Sequence, residues 1–350
     1  MFKRFLKRVV HTAVVVSIAV PALVVGQGQD IAKILGDARK ALGADKADVK
    51  TVAVTGRTQR SRPDGTSVEQ AFEFYMELPD KFMKRDVVMA MGPTSIYRMS
   101  GFNGNQLTNE VDTPPSLSTG GGMIRMVGPG GATVGGAAQT PEQKAEADAR
   151  VLALNKAEFS RLALGMFAHS PVANPLELTY GGEAESADGK AWVVNVKGDG
   201  AFTAKLFIDT KTNLPLMLSW MDKEPLQITM GGGPGAGRPG GAGAGGGGTT
   251  FTSMAGGHTA VGGSSPMSAA DRERMQKEMD ERLKEAEAKR RTVEYRLFYG
   301  DYKTFNGVKL PTRIQRMIDG TPTDEMSFDR VQVNGKIDPK KFEPTKTDKK

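Results

Sequence analysis

Between residues 67 and 78 the side chains alternate. Phe72, Phe74 and Met76 point one way; Glu73, Tyr75 and Glu77 point the other. Successive side chains of a strand face opposite sides, so the pattern predicts a half-buried strand. Strand-like runs recur at 49–60, 82–91 and 95–99, and again at 176–180, 191–196, 201–208 and 216–220. A third set covers 292–299, 308–318 and 324–333. Turn chemistry separates them: Pro63-Asp64-Gly65, Leu78-Pro79-Asp80, Asn103-Gly104, Asp188-Gly189, Asn306-Gly307 and Asp319-Gly320. With roughly eleven short strands and hairpin-length turns, the chain predicts an antiparallel meander of the α+β class, mainly β.

Two helices interrupt this pattern. Asp30 is placed to cap a helix whose Ile31, Ile34, Leu35, Ala38 and Leu42 recur at helical spacing, and Gly43 stands where it stops. Thr140-Pro141-Glu142-Gln143 is a capping box with proline at the first helical position, which predicts a long helix to about His169. Its Leu152, Phe159, Leu162 and Met166 form one apolar side. Each helix has an apolar face to bury, and the sheet is the surface available. A third helix, over 268–291, is charged on nearly all sides. Met275, Met279 and Leu283 give it only a thin apolar stripe, which predicts a surface excursion.

Composition sets apart three further stretches. Residues 113–139 are rich in Gly and Pro without a period and read as a mobile loop. Residues 231–263 hold sixteen of the 43 glycines. A segment with so few bulky side chains cannot bury enough apolar surface to offset its ordering entropy, so 231–267 is expected to be a disordered insert. The N-terminus carries Lys3, Arg4, Lys7 and Arg8, then an apolar run from Ala13 to Val25, then Gly26 before Gln27. This is the order of a cleavable secretory signal. As a helix that run spans about 20 Å, against roughly 30 Å of bilayer hydrocarbon. The expected organisation is a signal over 1–26, a single domain over 27–345 broken by these stretches, and a tail over 346–350.

Charge and chemistry narrow the function classes. Of 47 basic residues four lie in the signal, leaving 43 against 40 acidic ones, a balance that points to no nucleic-acid partner. The chain has no cysteine, which excludes disulfides, thiolate zinc sites, a cysteine nucleophile and a lipid-modified cysteine. His11, His169 and His258 have no metal-ligand spacing. A positive His169 would suit the helix end it occupies. The Gly-rich run at 231–235 lacks the Gly-Lys-Ser/Thr ending of a phosphate loop, and no Gly-x-Ser-x-Gly elbow occurs. Asp324 and Glu325, adjacent on a strand, point to opposite faces and do not share a site. No catalytic residue, metal or cofactor is expected.

Several segments carry a resemblance. They are the first helix ending in Leu42-Gly43, the strand pair through Leu78-Pro79-Asp80-Lys81-Phe82, and Gly101-Phe102-Asn103-Gly104. Leu206-Phe207-Ile208-Asp209-Thr210-Lys211-Thr212-Asn213-Leu214-Pro215 follows, then Tyr299-Gly300-Asp301-Tyr302 through Leu310-Pro311, and finally Val333-Asn334-Gly335-Lys336-Ile337-Asp338 with Phe342. In this order they resemble the LolA/LolB lipoprotein-carrier superfamily, which includes the envelope regulator RseB, and more narrowly the outer-membrane lipoprotein-sorting proteins. The resemblance implies an unclosed half β-barrel covered by helices, a periplasmic location, and a non-catalytic carrier of lipid acyl chains or lipoprotein. The alternative it implies is an RseB-like envelope-sensing module that binds an inner- or outer-membrane partner protein. No arginine here is matched to the carriers' functional arginine. For such a cavity the inward sets are Phe72, Phe74 and Met76, and, opposite Asn195 and Lys197, Trp192, Val194 and Val196. The same residues would serve equally as ordinary core beneath the helices.

Overall fold

The computed structural model describes residues 30–61, 65–91, 94–112, 125–127, 133–134, 140–169, 175–186, 189–200, 202–225, 227–229, 250–252, 258–260 and 269–343. The expected signal, most of 113–139 and of 231–267, the turn residues Pro63, Asp64 and Asp188, and the tail past 343 lie outside the described residues.

The chain begins with α1 (Ile31–Leu42), followed by β1 (Thr51–Ser61), β2 (Ser67–Glu77), β3 (Lys81–Met91), β4 (Thr94–Asn103) and β5 (Gln106–Asp112). Short strands β6 (Arg125–Val127) and β7 (Thr133–Val134) precede α2 (Pro141–Phe167). Then come β8 (Glu177–Ser186), β9 (Gly189–Lys197), β10 (Thr203–Asp209) and β11 (Pro215–Lys223). Three short strands, β12 (Gln227–Thr229), β13 (Thr250–Thr252) and β14 (His258–Ala260), lead to α3 (Ala269–Lys289). The chain closes with β15 (Thr292–Phe305), β16 (Val308–Ile318), β17 (Thr321–Val333) and a 3-10 turn over Pro339–Phe342.

Twelve strands form one sheet in the order β5-β4-β3-β2-β1-β17-β16-β15-β11-β10-β9-β8. Every neighbouring pair is antiparallel. The first five strands walk outward from the centre. The chain then restarts at the opposite edge with β8 and walks inward to β11, and β15 to β17 fill the space between β11 and β1. The sheet is not closed, because β5 and β8 each have only one strand neighbour in it. The predicted turns carry this path: Asn306 and Gly307, and Asp319 and Gly320, all take positive φ, as tight hairpins between right-twisted strands require.

The helices begin and end where the sequence places them. Asp30 accepts a hydrogen bond from the Ala32 amide and Gly43 closes α1 in the left-handed region. Thr140 and Gln143 complete the capping box of α2 in both directions. Ile34, Leu35, Ala38 and Leu42 of α1, and Phe159, Leu162, Ala163, Leu164, Met166 and Phe167 of α2, are buried in one core with the sheet residues that face them.

Four details differ from expectation. The sheet has twelve strands rather than about eleven, because β4 runs on through Phe102, which is buried, and β5 pairs along it. Strand β8 continues past Gly181 and Gly182 by a register shift after Tyr180. The Lys-rich run over 340–350, which composition alone reads as a solvated tail, is not all tail: Phe342 is almost fully buried and Lys81 lies 6.0 Å over its ring. His169 is held below its ordinary pKa, first by burial and then by Arg39, so the favourable imidazolium expected at the end of α2 is opposed.

Candidate functional site

The sheet face that shares the helices' core carries the candidate site. On β2, Phe72, Phe74 and Met76 are buried while Glu73, Tyr75 and Glu77 are only half-buried. On β9, Val194 and Val196 are buried and Trp192 is half-buried, 6.4 Å from the Tyr180 ring. The two sets lie on opposite wings with six strands between them, yet all six residues belong to or pack against one continuous core.

The first wing is aromatic. Phe74 has Phe72, Phe82 and Phe328 at ring separations of 6.2, 6.5 and 5.7 Å. Phe159 of α2 meets Phe82 and Phe102 at 5.8 and 5.5 Å. The second wing continues into Trp220, whose ring stacks on Tyr295 at 5.3 Å. Tyr295 donates to the Lys223 carbonyl at 2.8 Å and Tyr299 to the Arg161 carbonyl at 3.2 Å. Burial pushes the Tyr295 phenol up to about 12 and the Tyr299 phenol further, so both are neutral donors.

Charge enters the same face. Lys84 stands opposite Phe74 in the sheet register and Asp86 opposite Phe72, while Arg98 on β4 stands opposite Asp86. Lys84 approaches Glu158 of α2 at 2.9 Å and Asp86 at 3.7 Å. Arg98 reaches Asp86 at 3.3 Å, and Arg316 of β16 reaches Asp324 of β17 at 3.8 Å. Burial works to raise the Asp86 carboxyl, but Lys84, Arg98 and Arg60 outweigh it and hold it below the usual range. Glu158 is likewise held low, with Lys84 and Arg316 overcoming its burial. Asp324 and Glu325 do separate: Asp324 is buried beside Arg316, and Glu325 pairs with Arg313 at 3.6 Å.

Arg161 stands apart. It lies on α2 between Ser160 and Leu162, both buried, and its guanidinium sits 4.2 Å from the Trp220 ring centroid and 5.3 Å from that of Phe202. Among the described residues no carboxylate lies within ion-pair distance of it, and its Nε has no partner. Burial pulls this guanidinium down to about 10, which Asp222 and Glu158 only partly oppose. Hydrophobic periodicity alone does not single out this cluster. Its signal was present: Lys84 and Asp86 share strand parity with Phe82, and Glu158 and Arg161 flank Phe159 and Leu162.

Among the described residues no group of three or more His, Cys, Asp or Glu is placed to hold a metal, and no helix is long and apolar enough to cross a membrane. A groove of about 390 Å³ lies along β8 to β11, and the core residues Val196, Ala204 and Trp220 are among those that line it. Thr179, Asn195, Lys205 and Ser219 line it, one strand position out of phase with the core residues Val194, Leu206 and Leu218.

These features define an open antiparallel sheet with one apolar face joined to two amphipathic helices. In structure the chain is similar to a LolA superfamily protein from Nitrosomonas europaea, at 8% identity and a TM-score of 0.40, over 90% of this chain and 98% of that one. It is similar to a DUF1329 family protein from Desulfovibrio piger, at 8% identity and a TM-score of 0.42, over 89% and 97%. A proposed outer membrane lipoprotein-sorting protein domain from Vibrio parahaemolyticus matches at 6% identity and a TM-score of 0.40, over 89% and 97%. No protein-family model matches the sequence, and no curated protein matches it.

Proposed function

We propose that this protein is a non-catalytic periplasmic carrier that holds the acyl chains of a lipid or lipoprotein against the apolar face of its sheet. One observation carries the proposal: strands on opposite wings of an unclosed twelve-stranded sheet share a single apolar core with two helices. A curl of the sheet towards these helices would make it an unclosed half β-barrel with α1 and α2 on its concave side. An acyl chain leaving a bilayer gives up about 0.8 kcal/mol per CH₂, and a carrier has to supply equal apolar surface. Helices that lift from the sheet supply it, with Phe72, Phe74, Met76, Trp192, Val194 and Val196 as the lining and no catalytic group required.

Native mass spectrometry of the protein purified from the periplasm tests this. A co-purifying lipid or acylated peptide is the expected result. A stable protein partner with no lipid would favour the envelope-sensing alternative. Failure of the purified chain to bind any fluorescent acyl probe would refute the carrier.

A further inference from the structure

The buried charges on the concave face do not balance. Lys84, Arg98 and Arg316 are each within ion-pair distance of one or more of Asp86, Glu158 and Asp324. Arg161 has no such partner among the described residues. Arg60, on the same face, is half-buried like Arg161, and Asp222 is exposed; Arg161 is set apart by the Trp220 and Phe202 rings against its guanidinium. The unmatched polar atoms point the same way. Among the described residues the buried side-chain atoms without a hydrogen bond include four N–H donors, at Arg98, Arg161, Trp220 and Arg316, beside one amide oxygen and one hydroxyl. Buried donors in native proteins are nearly always satisfied, and an uncompensated buried charge is among the most destabilising features a fold carries. Arg161 and Trp220 stack at 4.2 Å, so two of these donors belong to touching side chains. Phe202 and Tyr295, the ring neighbours of the pair, belong to the apolar core.

We infer that Arg161 and Trp220 form the head-end subsite for an anionic amphiphile, whose head pairs with the Arg161 guanidinium while its hydrocarbon lies in the adjoining apolar core. A planar guanidinium offers a fork of donors that matches a carboxylate or a phosphodiester. The inference rests on the carrier proposal and adds to it the chemistry of the head.

The experiment compares a dansyl-labelled fatty acid with its methyl ester, titrated against the full chain and against Arg161→Met. Methionine keeps an unbranched stem over Trp220 and removes the charge. Expected are a preference of the wild type for the acid by roughly tenfold or more, the size of one charge-assisted contact, and loss of that preference in Arg161→Met with ester binding unchanged. Free Arg161→Met should melt no lower than the wild type, because an unpaired buried cation is gone. Should that variant fold poorly, Arg161→Lys, which keeps the charge but not the fork, should retain part of the preference. Displacement of the acid by lysophosphatidylglycerol, and not by inorganic phosphate or acetate, would place the anion on a lipid head; displacement by phosphate alone would make this a free-anion site and overturn the amphiphile. Equal wild-type binding of acid and ester, or equal weakening of both in Arg161→Met, overturns the subsite while leaving the carrier intact. No binding of either probe by the wild type defeats the carrier proposal itself.

Discussion

Strand parity assigns Phe74 and Trp192 the same role, but their surroundings differ. Phe74 is 1% exposed and ringed by Phe72, Phe82 and Phe328. Trp192 is half-buried at the margin of the core, near the edge strand β8. Phe74→Ser leaves a cavity and buries a hydroxyl, which should cost about 3–5 kcal/mol. Trp192→Ser should cost clearly less, while weakening binding of a fluorescent fatty-acid probe. Denaturant melts and probe titrations on both variants read this out. Strong destabilisation by Trp192→Ser with probe affinity intact would remove Trp192 from the proposed lining. At the same scale, Gly165 shows a constraint that no periodicity reveals. Alanine is a better helix former than glycine by about 1 kcal/mol, but a Cβ at this position of α2 would overlap the ring of buried Tyr299.

The link between α2 and the sheet is electrostatic as well as apolar. Lys84 of β3 reaches Glu158 of the helix and Asp86 of its own strand, and Arg98 of β4 reaches Asp86. Asp86 and Glu158 have folded pKa values below their ordinary ones. A carboxyl whose folded pKa is depressed contributes stability above its unfolded pKa and loses it as pH falls through the folded value. The melting temperature should therefore hold down to the ordinary carboxylate range near pH 4 and fall steeply below it. Asp86→Asn should cost about 3–5 kcal/mol at neutral pH, by leaving Lys84 and Arg98 short of a partner, and should flatten part of the acid limb. A melting profile unchanged between neutral and acid pH would mean that these pairs do not hold α2 to β3 and β4.

At the scale of the whole molecule the sheet is one continuous antiparallel layer assembled from three runs of chain. The central run, β15 to β17, is made last and joins the two wings, so truncation within it should unfold both. The charged start, the short apolar run and Gly26 predict that protein from the periplasmic fraction begins near Gln27, which N-terminal sequencing reads directly. Intact Met1 in a membrane pellet would replace the cleaved signal with an anchor.

Much of this architecture was legible in the sequence because it is local. Alternation of Phe72, Phe74 and Met76 with Glu73 and Glu77 determined which face of β2 is buried. Asn306-Gly307 and Asp319-Gly320 determined tight hairpins, since both positions of each turn need positive φ. Asp30, Gly43 and the Thr140 capping box determined where helices start or stop, because the first and last turns of a helix leave backbone groups that only such residues satisfy. The strand order was not local. Pairing of β1 with β17, and entry of the second wing from the far edge at β8, depend on contacts between residues far apart in the chain, which no periodicity encodes. The buried charges were hidden for a related reason. Lys84, Asp86, Glu158 and Arg161 each read as ordinary solvated residues within their own segments. Only the packing of α2 across β3, β4 and β11 puts them out of water, pairs three of them, and leaves Arg161 against Trp220 with a charge unmatched.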